Sequence, residues 1–265
     1  MSDEEITKQR SFLEEGLQRI GPKLPGAVRY RLENCLDHFS KALEILDIDR
    51  AMASFRAITG EEEAATALMR AIQFRQYPNA RSFSARNHVH KAAVGACIAA
   101  IGLDIRQALQ RFQLTFNFDV PRIDISVPIA TFGVVMPEGE EYFLQPVEPL
   151  SIVHTKPGKE RSNLFEDNLV NLAERTRFEN IKKLVASQAN ARNTLLYAGD
   201  TSLPISRATM NDLLVRKDRA MGALILSIMI LQSKEHQPLV CDAIDAFLSV
   251  IARLPRTKEN DQSEA

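Results

Sequence analysis

Apolar residues recur along this chain with two different periods, and the change of period divides it. From Val28 to Leu46, the residues Leu32, Cys35, Leu36, Phe39, Leu43 and Leu46 fall three or four apart, the stripe of an amphipathic helix. A second helix is expected from about Asp49. Gly60 falls inside it or between two helical segments, and EEEAATALMRAIQF continues with strong helix formers. Tyr77-Pro78-Asn79 punctuates, because the residue before a proline is pushed out of the helical region. A third helix is expected from about Ala80 to Ile101, ended by Gly102, with one more short helical turn over Leu103 to Phe112.

The period then drops to two. Phe112, Leu114, Phe116, Phe118 and Val120 alternate with polar residues, and after Pro121 so do Ile123, Ile125, Val127 and Ile129. Such alternation predicts half-buried strands. TFGVVM-PEGE-EYFLQPV has the pattern of a hairpin, and Leu150 to His154 that of a short further strand. The helical period returns from Leu164 to Ala198 as a broken stripe. Ser206 is the expected N-cap of a helix through Leu231. Within it AMGALILSIMIL, Ala220 to Leu231, is too short to span a bilayer and predicts a core helix buried on every side. Pro238 opens a last helix with Val240, Cys241, Ile244, Phe247, Leu248 and Ile251 on its apolar side.

The predicted class is α+β, mainly α: a helical bundle interrupted by a small antiparallel β-sheet insert. The expected organisation is a helical region over 1–111, the β-insert over 112–158, a second helical region over 159–256 packing with the first, and a disordered tail over 257–265. HTKPGKERSN, from His154, is the linker candidate.

Charge narrows the picture. Thirty-three basic residues nearly balance 34 acidic ones, so no global field draws the chain to nucleic acid or membrane. Any electrostatic footprint is local. Cys35, Cys97 and Cys241 are scattered and form no C-x-x-C pair, which points to three reduced thiols in a reducing compartment. The opening MSDEEITKQR is acidic and lacks the apolar run of a signal peptide. A cytoplasmic protein with no membrane partner is expected.

One stretch departs from this balance. Ala64 to Leu103 holds no Asp or Glu, yet carries Arg70, Arg75, Arg81, Arg86, His88, His90 and Lys91. On the expected helix, Arg81, Ser84, His88 and Lys91 share a polar stripe, with Arg86 and His90 an i, i+4 pair beside it. Such a site can hold a phosphodiester, arginine stabilising charge and histidine moving a proton. The plain alternative is a solvated helix face. His88 and His90 lie about 200° apart on a helix, too far to share a metal. No second cluster completes a metal site, and no cofactor is expected. A further acid-free stretch, Asn180 to Gly199, offers Lys182, Lys183 and Arg192. With Arg75 and Lys91 these are the candidate polyanion contacts, against the plain reading of a wet helix face. Glu61, Glu62 and Glu63 cannot all face one site. One is expected to turn inward to an arginine of the next helix, and at least two to be solvated.

The stretch SFRAITGEEEAATALMRAI, followed by a turn and ARNHVHKAAV, resembles the HEPN superfamily, particularly its abortive-infection AbiV-like branch. The likeness covers roughly residues 28–101. It implies a helical bundle, a homodimer pairing two active sites, and metal-independent RNA cleavage in phage defence. The family signature is an Arg, often followed by a polar residue, with a His four to six residues beyond. Arg81 and His88 are separated by six residues, which fits. Arg86-Asn87 has the dipeptide but His90 follows too closely, and after Arg192-Asn193 the histidine position holds Tyr197. By the resemblance, Arg81 or Arg86 would hold the scissile phosphate, and His88 or His90 would handle the 2′-hydroxyl or the leaving oxygen. Two classes of function stay open: an RNA-cleaving or RNA-binding protein using the 81–91 segment, and a non-catalytic interaction protein recognising a partner or itself, with the strands of 112–129 as a pairing surface.

Overall fold

The structure, a computed structural model, describes residues 3–108, 112–128, 142–151, 165, 169, 172, 179–197 and 206–252. Seven helices are described: α1 (Asp3–Ile20), α2 (Gly26–Glu44), α3 (Arg50–Phe74), α4 (His88–Ala108), α5 (Ile181–Leu196), α6 (Met210–Gln232) and α7 (Pro238–Ala252). Three strands, β1 (Gln113–Asn117), β2 (Arg122–Pro128) and β3 (Phe143–Leu144), form an antiparallel sheet in that order. The class is the one the two periods predict.

Local chemistry explains the element boundaries. The Asp49 carboxylate accepts from Met52 N at 3.0 Å and caps α3. Gly60 lies inside α3, which packs most extensively against α2 and α6. The turn after it uses left-handed backbone at Gln76 and Asn79. On α6 the expected N-cap is displaced by three residues. Thr209, not Ser206, caps it in a reciprocal box with Asp212, while Ser206 Oγ bonds Ser54 Oγ at 2.8 Å. The capping box satisfies two backbone donors together, which a lone serine cannot.

The third expected helix is corrected at both ends. Ala80–Ser82 is an isolated 3-10 turn, and α4 begins only at His88. Asn87 Oδ1 accepts from Val89 N at 2.8 Å, so its side chain starts the helix there. The loop before it is held by other means. Gln73 Nε2 donates to the carbonyls of Ala80 and Phe83, and the buried Phe83 ring stacks on Phe247 at 4.5 Å. At the other end α4 runs through Gly102 to Ala108. A glycine lowers helix propensity, but packing of the Val94, Cys97, Ile98 and Ile101 face outweighs that.

In the sheet, Ile123, Ile125 and Val127 are buried, as alternation requires. Phe116 lies opposite Ile123. β3 pairs with the end of β2, Val127 opposite Leu144. The remainder of the expected hairpin, the 154–163 linker and the 257–265 tail lie outside the described residues. Leu150 and Ser151 are not strand: Leu150 is a buried plug whose carbonyl accepts from Leu239 N. A side-chain amide fastens the sheet to the bundle. Gln232 Oε1 accepts from Ile123 N at 2.7 Å, and its Nε2 donates to Ile123 O at 2.8 Å. From the other side, Arg19 stacks over Phe118, and Lys23 Nζ donates to the carbonyls of Phe118 and Asp119.

One hydrophobic cluster runs through both helical blocks and the sheet. The Ala220 to Leu231 stretch is buried almost all round, as predicted, with Ser227 Oγ donating to its own helix at Ala223 O. Among the described residues no helix is long and apolar enough to cross a membrane. Cys35 and Cys97 are buried free thiols, and burial pushes both well above the ordinary cysteine pKa.

Two glycines separate helix propensity from packing. A Cβ on Gly60 would sit 2.9 Å from the buried Phe39 ring and 3.3 Å from Cys35 O. Gly60→Ala is therefore expected to destabilise by about 1–3 kcal/mol through overpacking. A Cβ on Gly222 would meet only Ile98 Cγ2 at 3.4 Å, an ordinary contact. Gly222→Ala is expected to stabilise by up to about 1 kcal/mol through propensity. Urea unfolding of both variants beside the native protein checks the opposite signs.

Candidate functional site

Three consecutive carboxylates sit in the middle of α3, which packs against α2, α4, α5 and α6. Successive residues turn by about 100° around a helix axis, so three in a row fan across some 200°. Each therefore reaches a different neighbour. Glu61 turns to α6: Arg219 Nε donates to Oε1 at 2.6 Å, Arg219 Nη2 to Oε2 at 3.2 Å, and Arg216 Nη1 to Oε2 at 2.6 Å. Glu63 turns to α2, where Arg31 Nη1 lies 3.0 Å from Oε2. Glu62 turns to α4 and α5. His88 Nδ1 is 2.7 Å from its Oε1, Lys91 Nζ 3.5 Å from its Oε2 and Arg192 Nη1 3.7 Å from the same oxygen. The three side chains are 14, 12 and 18 % exposed. The expectation of at least two solvated glutamates is overturned, because every direction they take meets a cation from another helix.

Glu61 is the most constrained of them. Burial pushes its carboxyl up, but Arg219 and Arg216 together pull it down further, so it lies below the usual glutamate range. Gly95 on α4 faces the same group, and a Cβ there would lie 3.1 Å from Glu61 Oε1. A small crevice of mixed lining, with a volume of about 20 Å³, opens between Ile58, Glu61, Glu62, Lys91, Gln188 and Arg216.

The structure brings together some of the sequence-derived candidates and separates others. His88, Lys91 and Arg192 meet at Glu62. Arg192 also lies 4.9 Å over the Phe55 ring, which restrains its guanidinium. The helical stripe of Arg81, Ser84, His88 and Lys91 does not exist, because α4 starts at His88. For the same reason Arg86 and His90 are not an i, i+4 helical pair. Arg81 and Arg86 are exposed, and neither side chain has a partner among the described residues. His90 turns the other way. Its Nδ1 accepts from Ser84 N at 3.1 Å, and its ring meets Phe247 edge-on at 6.0 Å. Arg75 ends α3, where its carbonyl receives His236 Nε2 at 3.0 Å. Lys183 pairs with Glu179 one turn before it, and Lys182 is half-buried on α5. No three His, Cys, Asp or Glu side chains cluster as metal ligands among the described residues.

Glu62 is the member that spacing alone misses. The available signal was its place just before an acid-free stretch of forty residues, Ala64 to Leu103, whose cations need counter-charge from elsewhere. Comparison of the chain with protein-family models, with curated proteins and with solved structures finds no match.

Glu61→Gln would leave Arg216 and Arg219 facing an uncharged amide. The expected loss is about 3 kcal/mol, the low end for a broken buried pair, since both arginines keep some solvent. Because the folded carboxyl titrates below its unfolded value, this stability is present above the ordinary glutamate range. It is lost as the pH falls through the lower folded value. Urea unfolding at neutral and acid pH is expected to show the gap between native and variant closing on acidification.

Proposed function

We propose that this chain is an RNA-directed protein that cleaves by metal-independent acid–base chemistry, with His88 as the proton-transferring group. The observation that supports this is the juxtaposition at Glu62. An exposed imidazole, 46 % accessible, is held by a largely covered carboxylate that also faces two cationic side chains from two helices. Imidazole suits proton transfer at neutral pH, and RNA brings its own nucleophile in the 2′-hydroxyl. In this reading His88 takes the 2′-hydroxyl proton while the 2′-oxygen bonds to phosphorus and the bond to the 5′-oxygen breaks. The leaving oxygen takes its proton from water. Lys91 and Arg192 stabilise charge on the phosphoryl oxygens, and the exposed Arg81 and Arg86 extend the electrostatic contact along the strand. His90 keeps a supporting part, holding the Ser84 turn before α4. The resemblance to abortive-infection HEPN proteins agrees with this assignment in chemistry, and it implies a homodimer.

A second reading, a non-catalytic interaction protein, is favoured by one observation. Among the described residues β1 has a strand on one side only, and its Gln113, Thr115 and Asn117 lie on the accessible surface. An open edge of this kind can add a strand from a partner or a second copy.

Incubation of the protein with mixed single-stranded and structured RNA in EDTA separates the readings. Cleavage is expected for the native protein, and His88→Ala is expected to lower it by about 100-fold or more at equal thermal stability. Arg81→Ala and Arg86→Ala are expected to weaken binding and flatten its salt dependence, leaving cleavage of bound RNA intact. Absence of both cleavage and salt-dependent binding would favour the interaction reading.

A further inference from the structure

We infer that Glu62 is a positioning residue: it fixes the tautomer of His88, so that Nδ1 carries the proton and Nε2 presents its lone pair to the substrate. This rests on the reading of His88 given above and adds a residue to it. The geometry carries it. A carboxylate has only acceptors, so a ring nitrogen 2.7 Å from Oε1 must be the donor. With the Nδ1 proton so engaged, the neutral ring is basic at Nε2 alone. A side chain held in this way keeps both orientation and tautomer.

The distances also rank the partners of Glu62. His88 sits at full hydrogen-bond length, whereas Lys91 and Arg192 stand off at 3.5 and 3.7 Å. A phosphate entering beside the imidazole can therefore draw the two cations without unseating His88. Glu61 cannot replace Glu62 in this role, because Arg216 and Arg219 engage both of its oxygens.

His90 supplies an internal control. Its Nδ1 accepts from a backbone N–H, so the neutral His90 ring carries its proton on Nε2, the opposite tautomer. Long-range proton–nitrogen correlation spectra of the full chain, taken at alkaline pH where neutral rings dominate, distinguish the two. Histidine variants, His88→Gln and His90→Gln, assign the signals among the five histidines. The expected result is a protonated Nδ1 at His88 and a protonated Nε2 at His90. Glu62→Ala is expected to release His88 to a mixture of tautomers and to lower kcat by about 10- to 100-fold. Glu62→Gln retains an acceptor oxygen and is expected to keep the tautomer and much of the rate. A protonated Nε2 at His88 in the native protein, or a tautomer unmoved by Glu62→Ala, would overturn the assignment. The assigned tautomer in a native protein that cleaves no RNA would instead uphold the role of Glu62 and remove the RNA reading.

Discussion

A carboxylate set into the middle of the most enclosed helix has to be neutralised where it stands, and α3 carries three of them in succession. Left alone, each would be expensive to take out of water. Their rotation around the helix sends them to different neighbours, so each draws one wall of the bundle toward α3: α6 through Arg216 and Arg219, α2 through Arg31, α4 and α5 through His88, Lys91 and Arg192. Pairs of this kind add little net stability over apolar packing, but a missing partner is heavily penalised. The effect is to select one arrangement of helices. A rotation of α6 by one residue would carry Arg216 and Arg219 off Glu61, and the loss would be large. Gly95 belongs to the same constraint, since a side chain there would press on the Glu61 carboxylate.

The acid-free character of residues 64–103 follows from this arrangement. The first turns of α4 need no carboxylates of their own, because His88 and Lys91 find their counter-charge on α3. An acid on α4 beside Glu61 or Glu62 would repel both. The segment that looked like a free basic footprint is thus partly spent inside the protein, at Lys91 and His88. Of its exposed arginines, Arg81 and Arg86 lie in the turn before the helix and Arg70 lies on α3.

The fold was legible where the signal is local and periodic. The stripe of α2, the alternation of β2 and the apolar run of α6 each depend on residues two to four apart and were legible. The alternation over Phe112 to Val120 overruns β1, which ends at Asn117 and leaves Phe112 and Val120 exposed. Boundaries set by side-chain hydrogen bonds to the backbone were not legible. The break before α4 depends on Gln73 reaching the carbonyls of Ala80 and Phe83, and the start of α6 on Thr209 and Asp212 acting together. Of the candidate site, residue types gave His88, Lys91 and Arg192. Their meeting point was hidden, because it lies at Glu62, 26 residues from His88 and 130 from Arg192 in sequence. Three adjacent glutamates on a helix ordinarily signal solvent, and only the surrounding helices make them a core feature.

Division of labour among the glutamates sets Glu62 apart from its two neighbours. Two arginines saturate Glu61, so it serves the fold. Arg31 draws Glu63 away to α2. Glu62 alone keeps one short bond and two long ones, and the short bond is to the one imidazole among its partners. Arg192 is also restrained by the Phe55 ring of α3. A phosphate arriving at His88 would meet preoriented positive charge and an imidazole already committed to one tautomer, with the ordering already achieved in folding the bundle. Were the glutamates spaced three or four apart on one face of α3, all would meet the same neighbour, and this separation of structural from reactive charge would be lost.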